Sequence, residues 1–172
     1  LVDRGALPVQ EAVEYVLQAL EAIAQAHAAG IIHRDLKPAN LFLTRRSDGL
    51  PTIKVLDFGI SKANTLSNVT ATSSMLGSPA YMSPEQIKSS KHVDPRSDIW
   101  SIGVILYQLL TERFPYRVIG PLHEVSAAIA TTPPTPPSAH DPSLAGDLET
   151  VILTCLQKDP ARRYQSAAAL AE

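Results

Sequence analysis

The stretch from residue 33 to residue 40 reads His33-Arg34-Asp35-Leu36-Lys37-Pro38-Ala39-Asn40. It presents a carboxylate, an ammonium group and a carboxamide within six positions, at Asp35, Lys37 and Asn40. Pro38 has no backbone N–H and a fixed φ, which disfavours regular structure, so the stretch is predicted to be a loop. Loops on a rigid scaffold often carry binding and catalytic groups, and the flanking segments indicate what that scaffold is.

The segments on either side of this loop predict a long helix and a small hairpin. Residues 8–29 carry apolar side chains at three- and four-residue spacing, with Pro8 placed to open a helix and Gly30 to close it. Residues 41–44 and 52–56 are predicted to be two short strands, joined by a polar turn. The loop therefore lies between a helix and a β-hairpin.

The rest of the chain is predicted to be mainly helical. Residues 99–110 are apolar almost all round, which is typical of a helix buried on every side. Shorter helices are predicted over 122–130 and 144–157, separated by a linker with four prolines at 131–138. Residues 61–78, rich in Ser, Thr and Asn, are predicted to be a long mobile loop, and loops of that length are usually functional or disordered. The fold class is therefore α+β, mainly helical with a small β-hairpin beside the 33–40 loop.

Composition excludes several classes of partner and site. The net charge of −2 gives no basic field for nucleic acid, which is not expected as a partner. No apolar run approaches the ~18 residues that would span a membrane, so no membrane contact is expected from this segment. The single cysteine, Cys155, is predicted to be a buried thiol, which fits a reducing cytoplasm. The histidines His92, His123 and His140 lack the spacing of a zinc site and are predicted to lie on the surface.

Two aspartates follow predicted elements at positions where catalytic groups tend to collect. Asp35 follows the first helix, and Asp57 stands at the end of the second strand, before Phe58 and Gly59. A carboxylate can orient an acceptor hydroxyl and take its proton, oxygen ligands can hold Mg²⁺, and a cation can offset charge on a phosphoryl group. The residue types at 35, 37, 40 and 57 therefore fit phosphoryl transfer.

Five motifs in order resemble those of the eukaryotic-type (Hanks-type) serine/threonine protein kinase family, in the style of its bacterial members. They are residues 33–40, 57–59, 77–85, 98–103 and 159–163. The resemblance covers residues 1–172 and implies a partial kinase domain, from the catalytic loop to the start of the last helix. It identifies the α+β fold as a mainly helical C-terminal lobe, with the N-terminal lobe absent from this chain.

The resemblance implies a role for each residue of the cluster. Asp35 would be the catalytic base, and Lys37 would stabilise charge on the γ-phosphoryl group of ATP. Asn40 and Asp57 would hold Mg²⁺, or Mn²⁺ in its place, so ATP and a divalent cation are the expected cofactors. Phe42 would lie under the adenine ring, and plain core packing explains the same residue nearly as well.

Other matching residues are implied to support the site. His33 and Phe58 resemble members of a packed column that links the two lobes, and Asp98 resembles a helix-start carboxylate that anchors the catalytic loop. Glu85 and Arg163 resemble a buried ion pair at the end of the activation segment. The residues with this supporting role are His33, Phe58, Gly59, Glu85, Asp98 and Arg163.

Substrate class and control are implied by the same resemblance. Lys37, and Ser78 as the hydroxyl near the acceptor, are typical of kinases that act on Ser or Thr of a protein substrate. Several kinases that select basic residues in their substrates carry Glu at the position of Ala39. The Ala in this chain therefore speaks against a strong preference for Arg near the acceptor. Arg34 would sense a phosphate on the activation loop. The candidate phosphorylation sites are Thr70, Thr72, Ser73 and Ser74, with a homodimer as one route to autophosphorylation. The alternative without regulation is that these hydroxyls simply keep a loop soluble.

The expected function is therefore that of a non-specific serine/threonine protein kinase, a Mg-ATP-dependent transferase. The alternatives are a pseudokinase or scaffold with a kinase fold and no turnover, and a small-molecule phosphotransferase, against which residues 77–85 argue. The Gly-rich loop, strand lysine and helix glutamate of the family would lie before Leu1, so the isolated 172 residues are expected to be inactive.

Overall fold

The computed structural model describes residues 5–58, 79–89 and 93–172. Its regular elements are α1 (Val9–Ala28), β1 (Leu41–Arg45), β2 (Pro51–Val55), α2 (Pro84–Lys88), α3 (Arg96–Thr111), α4 (Leu122–Thr131), α5 (Asp147–Cys155) and α6 (Ala167–Ala171). Short 3₁₀ turns lie at Pro38–Asn40, Pro79–Tyr81, Pro137–Ala139, Pro142–Leu144 and Pro160–Arg162. The mainly helical α+β class predicted from the sequence is confirmed.

Helix α3 is the centre of the core. Thirteen of its sixteen residues are buried, which fits the apolar pattern around the whole helix. It packs against α1 and α5, and Gly103 lets α5 approach closely, since a Cβ there would stand 2.6 Å from the Cβ of Cys155. The long helix predicted over 99–110 is confirmed and begins three residues earlier, at Arg96.

Helix α1 presents one apolar face to this core. Its buried residues are Ala12, Tyr15, Val16, Ala19, Leu20 and Ile23. Pro8 stands directly before the helix and Gly30 follows its end with a φ of 74°, a left-handed conformation that glycine adopts without strain. The helix predicted over 8–29 is confirmed, and its C-terminal end delivers the chain to the 33–40 loop.

Strands β1 and β2 form an antiparallel hairpin, with Leu41 opposite Val55 and Arg45 opposite Pro51. Leu41 and Ile53 point into the core, and the hairpin packs against α1. The strands predicted at 41–44 and 52–56 are confirmed with shifts of one residue. Leu56 falls just outside β2, where its backbone N–H donates to the carbonyl of Asn40 over 2.9 Å.

The prediction of a helix over 144–157 is wrong at both ends. Leu144 belongs to a 3₁₀ turn that the Asp141 side chain caps, and α5 begins only at Asp147, after Gly146 with a φ of 119°. Cys155 ends the helix and is buried, as predicted. None of the helices in the described part of the chain has the length and apolar character that crossing a membrane requires.

Candidate active site

One buried carboxylate holds the backbone of the 33–40 loop. Asp98, in the first turn of α3, is 1% exposed. Its Oδ2 accepts the backbone N–H of His33 over 2.9 Å, and its Oδ1 accepts the backbone N–H of Arg34 over 2.9 Å. Hydrogen bonds to an ionised acceptor are stronger than neutral ones. The helix core therefore determines where the loop backbone lies.

His27 is a partner of the same carboxylate that the sequence analysis missed. Its Nε2 lies 2.8 Å from Asp98 Oδ2, at the last turn of α1. The contact joins residues 71 positions apart, so the local sequence does not reveal it. The available signal was a histidine in the last helical turn, six residues before His33, which is too common a pattern to assign a role.

Asp35, Lys37 and Asn40 are brought together by the loop itself. The ammonium of Lys37 donates to Asp35 Oδ2 over 3.0 Å, and Asn40 Nδ2 donates to the backbone carbonyl of Asp35 over 2.8 Å. The 3₁₀ turn Pro38–Asn40 reverses the chain so that Asn40 can reach back. The nitrogen of the Asn40 carboxamide is thus occupied, and its oxygen is the atom suited to a metal ion.

Asp57 is held beside this group through its neighbour Leu56. The Leu56 N–H donates to the Asn40 carbonyl, and the Leu56 carbonyl lies 2.9 Å from His33 Nε2. Asp57 itself is exposed and has a φ of 53°, in the left-handed region that non-glycine residues seldom adopt. The ring of Phe58 packs on His33, with centroids 4.9 Å apart. The end of β2 is therefore pinned to the 33–40 loop.

The donor set fits a hard divalent cation. Mg²⁺ is usually bound by one or two carboxylates together with substrate phosphates and water, rather than by a full protein cage. The Asp57 carboxylate and the Asn40 carboxamide oxygen are ligands of that kind. None of the ion pairs among the described residues involves the Asp57 carboxylate.

Phe42 is an exposed residue of the β-hairpin. It follows Leu41 in β1, opposite Lys54, and 55% of its surface is exposed. Core packing, one of the two interpretations left open by the sequence, is therefore wrong for Phe42.

Glu85 and Arg163 are ion-paired over 2.7 Å, and Ser97 also donates to the Glu85 carboxylate. Burial alone would raise the pKa of Glu85, but the hydrogen bonds from Arg163 and Ser97 hold that pKa below its ordinary value. This pair ties α2 to α3 and to the chain before α6. The next residue of α2, Gln86, donates to the carbonyl of Arg34 over 2.8 Å.

Several predicted site residues lie outside the described part of the chain. They are Gly59, Thr70, Thr72, Ser73, Ser74 and Ser78. Arg34, the predicted phosphate sensor, is described and its side chain is exposed, next to Asp35. His123 and His140 are exposed as predicted, and His92 is outside the described residues.

Comparison with known proteins gives one consistent family. A model of the protein kinase domain matches residues 1–172. The serine/threonine-protein kinase Pkn1 of Myxococcus xanthus is 46% identical over 158 residues, which are 91% of this chain and 22% of Pkn1. The serine/threonine-protein kinase PknB of Mycobacterium leprae is 40% identical over 165 residues, 95% of this chain and 26% of PknB. The chain thus spans about a quarter of these relatives.

Solved structures show the same fold. The crystal structure of Rad53 1-466 in complex with AMP-PNP superposes with a TM-score of 0.75 and 27% identity, covering 99% of this chain and 41% of that one. The PknI kinase domain of Mycobacterium tuberculosis superposes with a TM-score of 0.69 and 28% identity, covering 97% of this chain and 55% of that one.

Proposed function

This chain belongs to the protein kinase domain family, and we propose that it supplies the catalytic half of an enzyme that transfers the γ-phosphoryl group of Mg-ATP to Ser or Thr hydroxyls of proteins. The observation that carries the proposal is the grouping of Asp35, Lys37 and Asn40 on a loop anchored by Asp98. The names of the similar bacterial proteins, Pkn1 and PknB, support the Ser/Thr class.

The proposed chemistry assigns the proton to Asp35. The acceptor hydroxyl gives its proton to the carboxylate as its oxygen bonds to the γ-phosphorus, and the bond to the bridging oxygen of ADP breaks. Lys37, already 3.0 Å from Asp35 Oδ2, offsets negative charge on the transferred group. Preorganised groups of this kind need little rearrangement when the reaction occurs, which is how positioning lowers the barrier.

Asn40 and Asp57 are the proposed ligands of Mg²⁺, or of Mn²⁺ in its place. A Mg²⁺ held by these two residues would supply positive charge that offsets the negative charge of the nucleotide phosphates. Asn40 is 6% exposed and is held by its bond to the Asp35 carbonyl, so it offers its oxygen in one orientation. Phe42 supplies an apolar face for the adenine.

The proposed enzyme contains a second lobe that completes the nucleotide site. The chain spans about a quarter of its curated relatives, and the rest of the protein would supply the loop and lysine over the phosphates. Control by phosphorylation of Thr70, Thr72, Ser73 or Ser74, sensed by Arg34 and carried out between two copies of the protein, is part of the proposal.

The test is phosphorylation of a generic protein substrate by the full-length protein that contains this chain, with Mg-ATP. Asp35→Asn should lower kcat by about 10²–10⁴-fold with nucleotide binding retained. Asp57→Asn should instead weaken Mg-ATP binding. The matched control is Asp147→Asn, the same change at an exposed carboxylate in α5.

An active wild type with an equally active Asp35→Asn variant would contradict the assignment of the base. A wild-type protein that binds Mg-ATP without any phosphorylation would favour the pseudokinase or scaffold function instead. A wild type that phosphorylates a small molecule and no protein would favour the small-molecule phosphotransferase.

A further inference from the structure

We propose that Gln86 is a positioning residue that couples helix α2 to the backbone of the catalytic loop at Arg34, a role that rests on the proposed function. Gln86 is not among the residues proposed to meet the substrate or the nucleotide. It acts through the peptide plane that joins Arg34 to Asp35, 52 residues earlier in the sequence. Through it, the position of α2 bears on the orientation of the catalytic carboxylate.

The orientation of the Gln86 carboxamide is determined by the start of its own helix. The backbone N–H of Ser83 lies 3.0 Å from Gln86 Oε1, and the Ser83 hydroxyl accepts the backbone N–H of Gln86 over 3.4 Å, which together form a capping box. A backbone N–H can only donate, so the side-chain atom that faces it is the oxygen. The NH₂ group therefore faces the Arg34 carbonyl, 2.8 Å away.

The Arg34 backbone is a point where positioning matters. Its φ of 65° lies in the left-handed region, which costs free energy for a residue with a Cβ and persists where the surroundings impose it. Asp98 holds the Arg34 N–H on one side, and Gln86 holds the Arg34 carbonyl on the other. The strained residue is thus held at both of its backbone polar groups.

The Arg34 carbonyl and the Asp35 N–H belong to one planar peptide unit. At one end of this unit Gln86 donates to the carbonyl, and at the other end the Asp35 N–H donates to His33 Nδ1 over 3.3 Å. Rotation of the plane would break both bonds and would change the φ angle of Asp35, and with it the direction in which the chain and side chain of Asp35 leave the plane. Loss of the Gln86 bond leaves the longer His33 bond to hold the plane.

Helix α2 can transmit position because the residue before Gln86 is tied to the core. Glu85, the residue before Gln86, binds Arg163 and Ser97. The pair Glu85 and Gln86 therefore links the core, α2 and the catalytic loop in series. Displacement of α2 from its place against the core would pull directly on the Arg34 carbonyl.

One substitution separates this role from simple helix capping. Gln86→Glu keeps an oxygen for the Ser83 N–H, and Ser-x-x-Glu is itself a capping box. It removes the donor and sets a carboxylate oxygen against the Arg34 carbonyl. The matched control is Gln18→Glu in α1, where the carboxamide also accepts a backbone N–H, from Ile53 over 2.8 Å, away from the catalytic loop.

The experiment measures kcat, the KM for ATP and thermal unfolding of the full-length protein. Gln86→Glu should lower kcat about three- to tenfold, the range for loss of one net hydrogen bond, with the KM for ATP and the melting temperature close to those of wild type. Gln18→Glu should leave kcat unchanged. Gln86→Leu, which loses the capping interaction as well, should lower both kcat and the melting temperature.

Hydrogen exchange supplies a readout that does not depend on activity. In Gln86→Glu the amides of residues 33–36 should exchange faster than in wild type, while Gln18→Glu should leave them unchanged. In an active wild type, an unaltered kcat in Gln86→Glu overturns the proposal, and so does a fall in kcat matched by a fall in melting temperature. If the wild type is inactive, the proposed function fails, and unaltered exchange at 33–36 then overturns the coupling.

Discussion

Arg163 and Glu85 form a bidentate ion pair, with Nη1 2.7 Å from Oε1 and Nη2 2.8 Å from Oε2, although they lie 78 positions apart in the sequence. Its remaining N–H groups donate to the carbonyls of Gln157, Arg96 and Lys158. A guanidinium carries five N–H donors, so all five are used here. The Arg163 side chain is fully buried, and it joins α2, the start of α3 and the chain after α5 at one point.

Arg163→Met should destabilise the fold more than it alters the active site. The substitution leaves the Glu85 carboxylate, whose side chain is 19% exposed, without its cation. Removal of one partner of a buried pair costs about 3–5 kcal/mol, and the partial exposure of Glu85 favours the lower end. Urea unfolding measures the change. In the double variant with Glu85→Gln the loss should be less than the sum of the single losses, and strict additivity would contradict a direct pair.

The same pair should make stability depend on pH in the acidic range. The pKa of Glu85 is held below its ordinary value of 4.5 in the folded protein, against the effect of burial, by hydrogen bonds from Arg163 and Ser97. Between the folded and unfolded pKa values the unfolded chain binds the extra proton, so stability rises with pH. The contribution is therefore complete above the unfolded pKa and is lost as pH falls through the folded one.

Urea unfolding at a series of pH values from neutral down to about pH 3 measures this effect. The wild type should lose more free energy of unfolding over the acidic range than Glu85→Gln, which has no carboxyl at this position. Parallel pH profiles for the two proteins would show that Glu85 does not contribute. The other titratable groups of the chain are the same in both proteins, so the difference between the two pH profiles reports Glu85.

Local sequence patterns predicted the elements that hold the site. The periodicity of α1 and the apolar surface of α3 both follow from burial against a common core, so they are visible in the residue order. The chemistry of the 33–40 loop was also visible, because its reactive groups lie within six positions. The start of α5 was missed because Gly146 and the cap at Asp141 override the apolar periodicity that extends back to Leu144.

Contacts between distant segments could not be predicted from residue types. The bond from His27 to Asp98 crosses 71 positions, and the bond from Gln86 to Arg34 crosses 52. Neither side chain has a spacing or composition that sets it apart from a surface residue. The ion pair of Glu85 entered the sequence analysis only through a family resemblance, since tertiary packing alone brings its partners together.

The Cys155 thiol should be unreactive in the folded protein. It is 2% exposed, and burial raises its pKa to about 12. The thiolate is the reactive form of cysteine, and almost none is present at mildly alkaline pH. A thiol reagent at about pH 8 should therefore leave Cys155 unmodified under native conditions and label it completely in urea. Rapid native labelling would contradict the packing of α5 on α3.

Gly103→Ala should destabilise the same helix interface. The new Cβ would stand 2.6 Å from the Cβ of Cys155, closer than carbon atoms can pack, so α5 must move away from α3. Overpacking of this kind costs about 1–3 kcal/mol, more than the gain in helix propensity from Gly to Ala of about 1 kcal/mol. Urea unfolding gives the difference. Adding Cys155→Ala should not relieve the loss, because the Cβ remains, and relief would contradict a Cβ–Cβ clash.

Asp98→Asn should impair catalysis without any change in the groups that meet the substrate. The carboxamide has one oxygen, so either the His33 N–H or the Arg34 N–H would face an NH₂ group in place of an acceptor. Loss of a hydrogen bond to a charged group costs about 1.5–3 kcal/mol, and the fold should lose a similar amount of unfolding free energy.

Because the lost bond holds the backbone next to Asp35, the kcat of the proposed kinase reaction, measured on the full-length protein, should fall by at least about tenfold, with a smaller change in the KM for ATP. Asp147→Asn, the same change in an exposed carboxylate of α5, is the control. An Asp98→Asn protein with wild-type kcat but reduced stability would mean that Asp98 supports the fold alone. A fall in kcat that is larger than the unfolded fraction of the protein at the assay temperature can explain would show that Asp98 positions the catalytic loop.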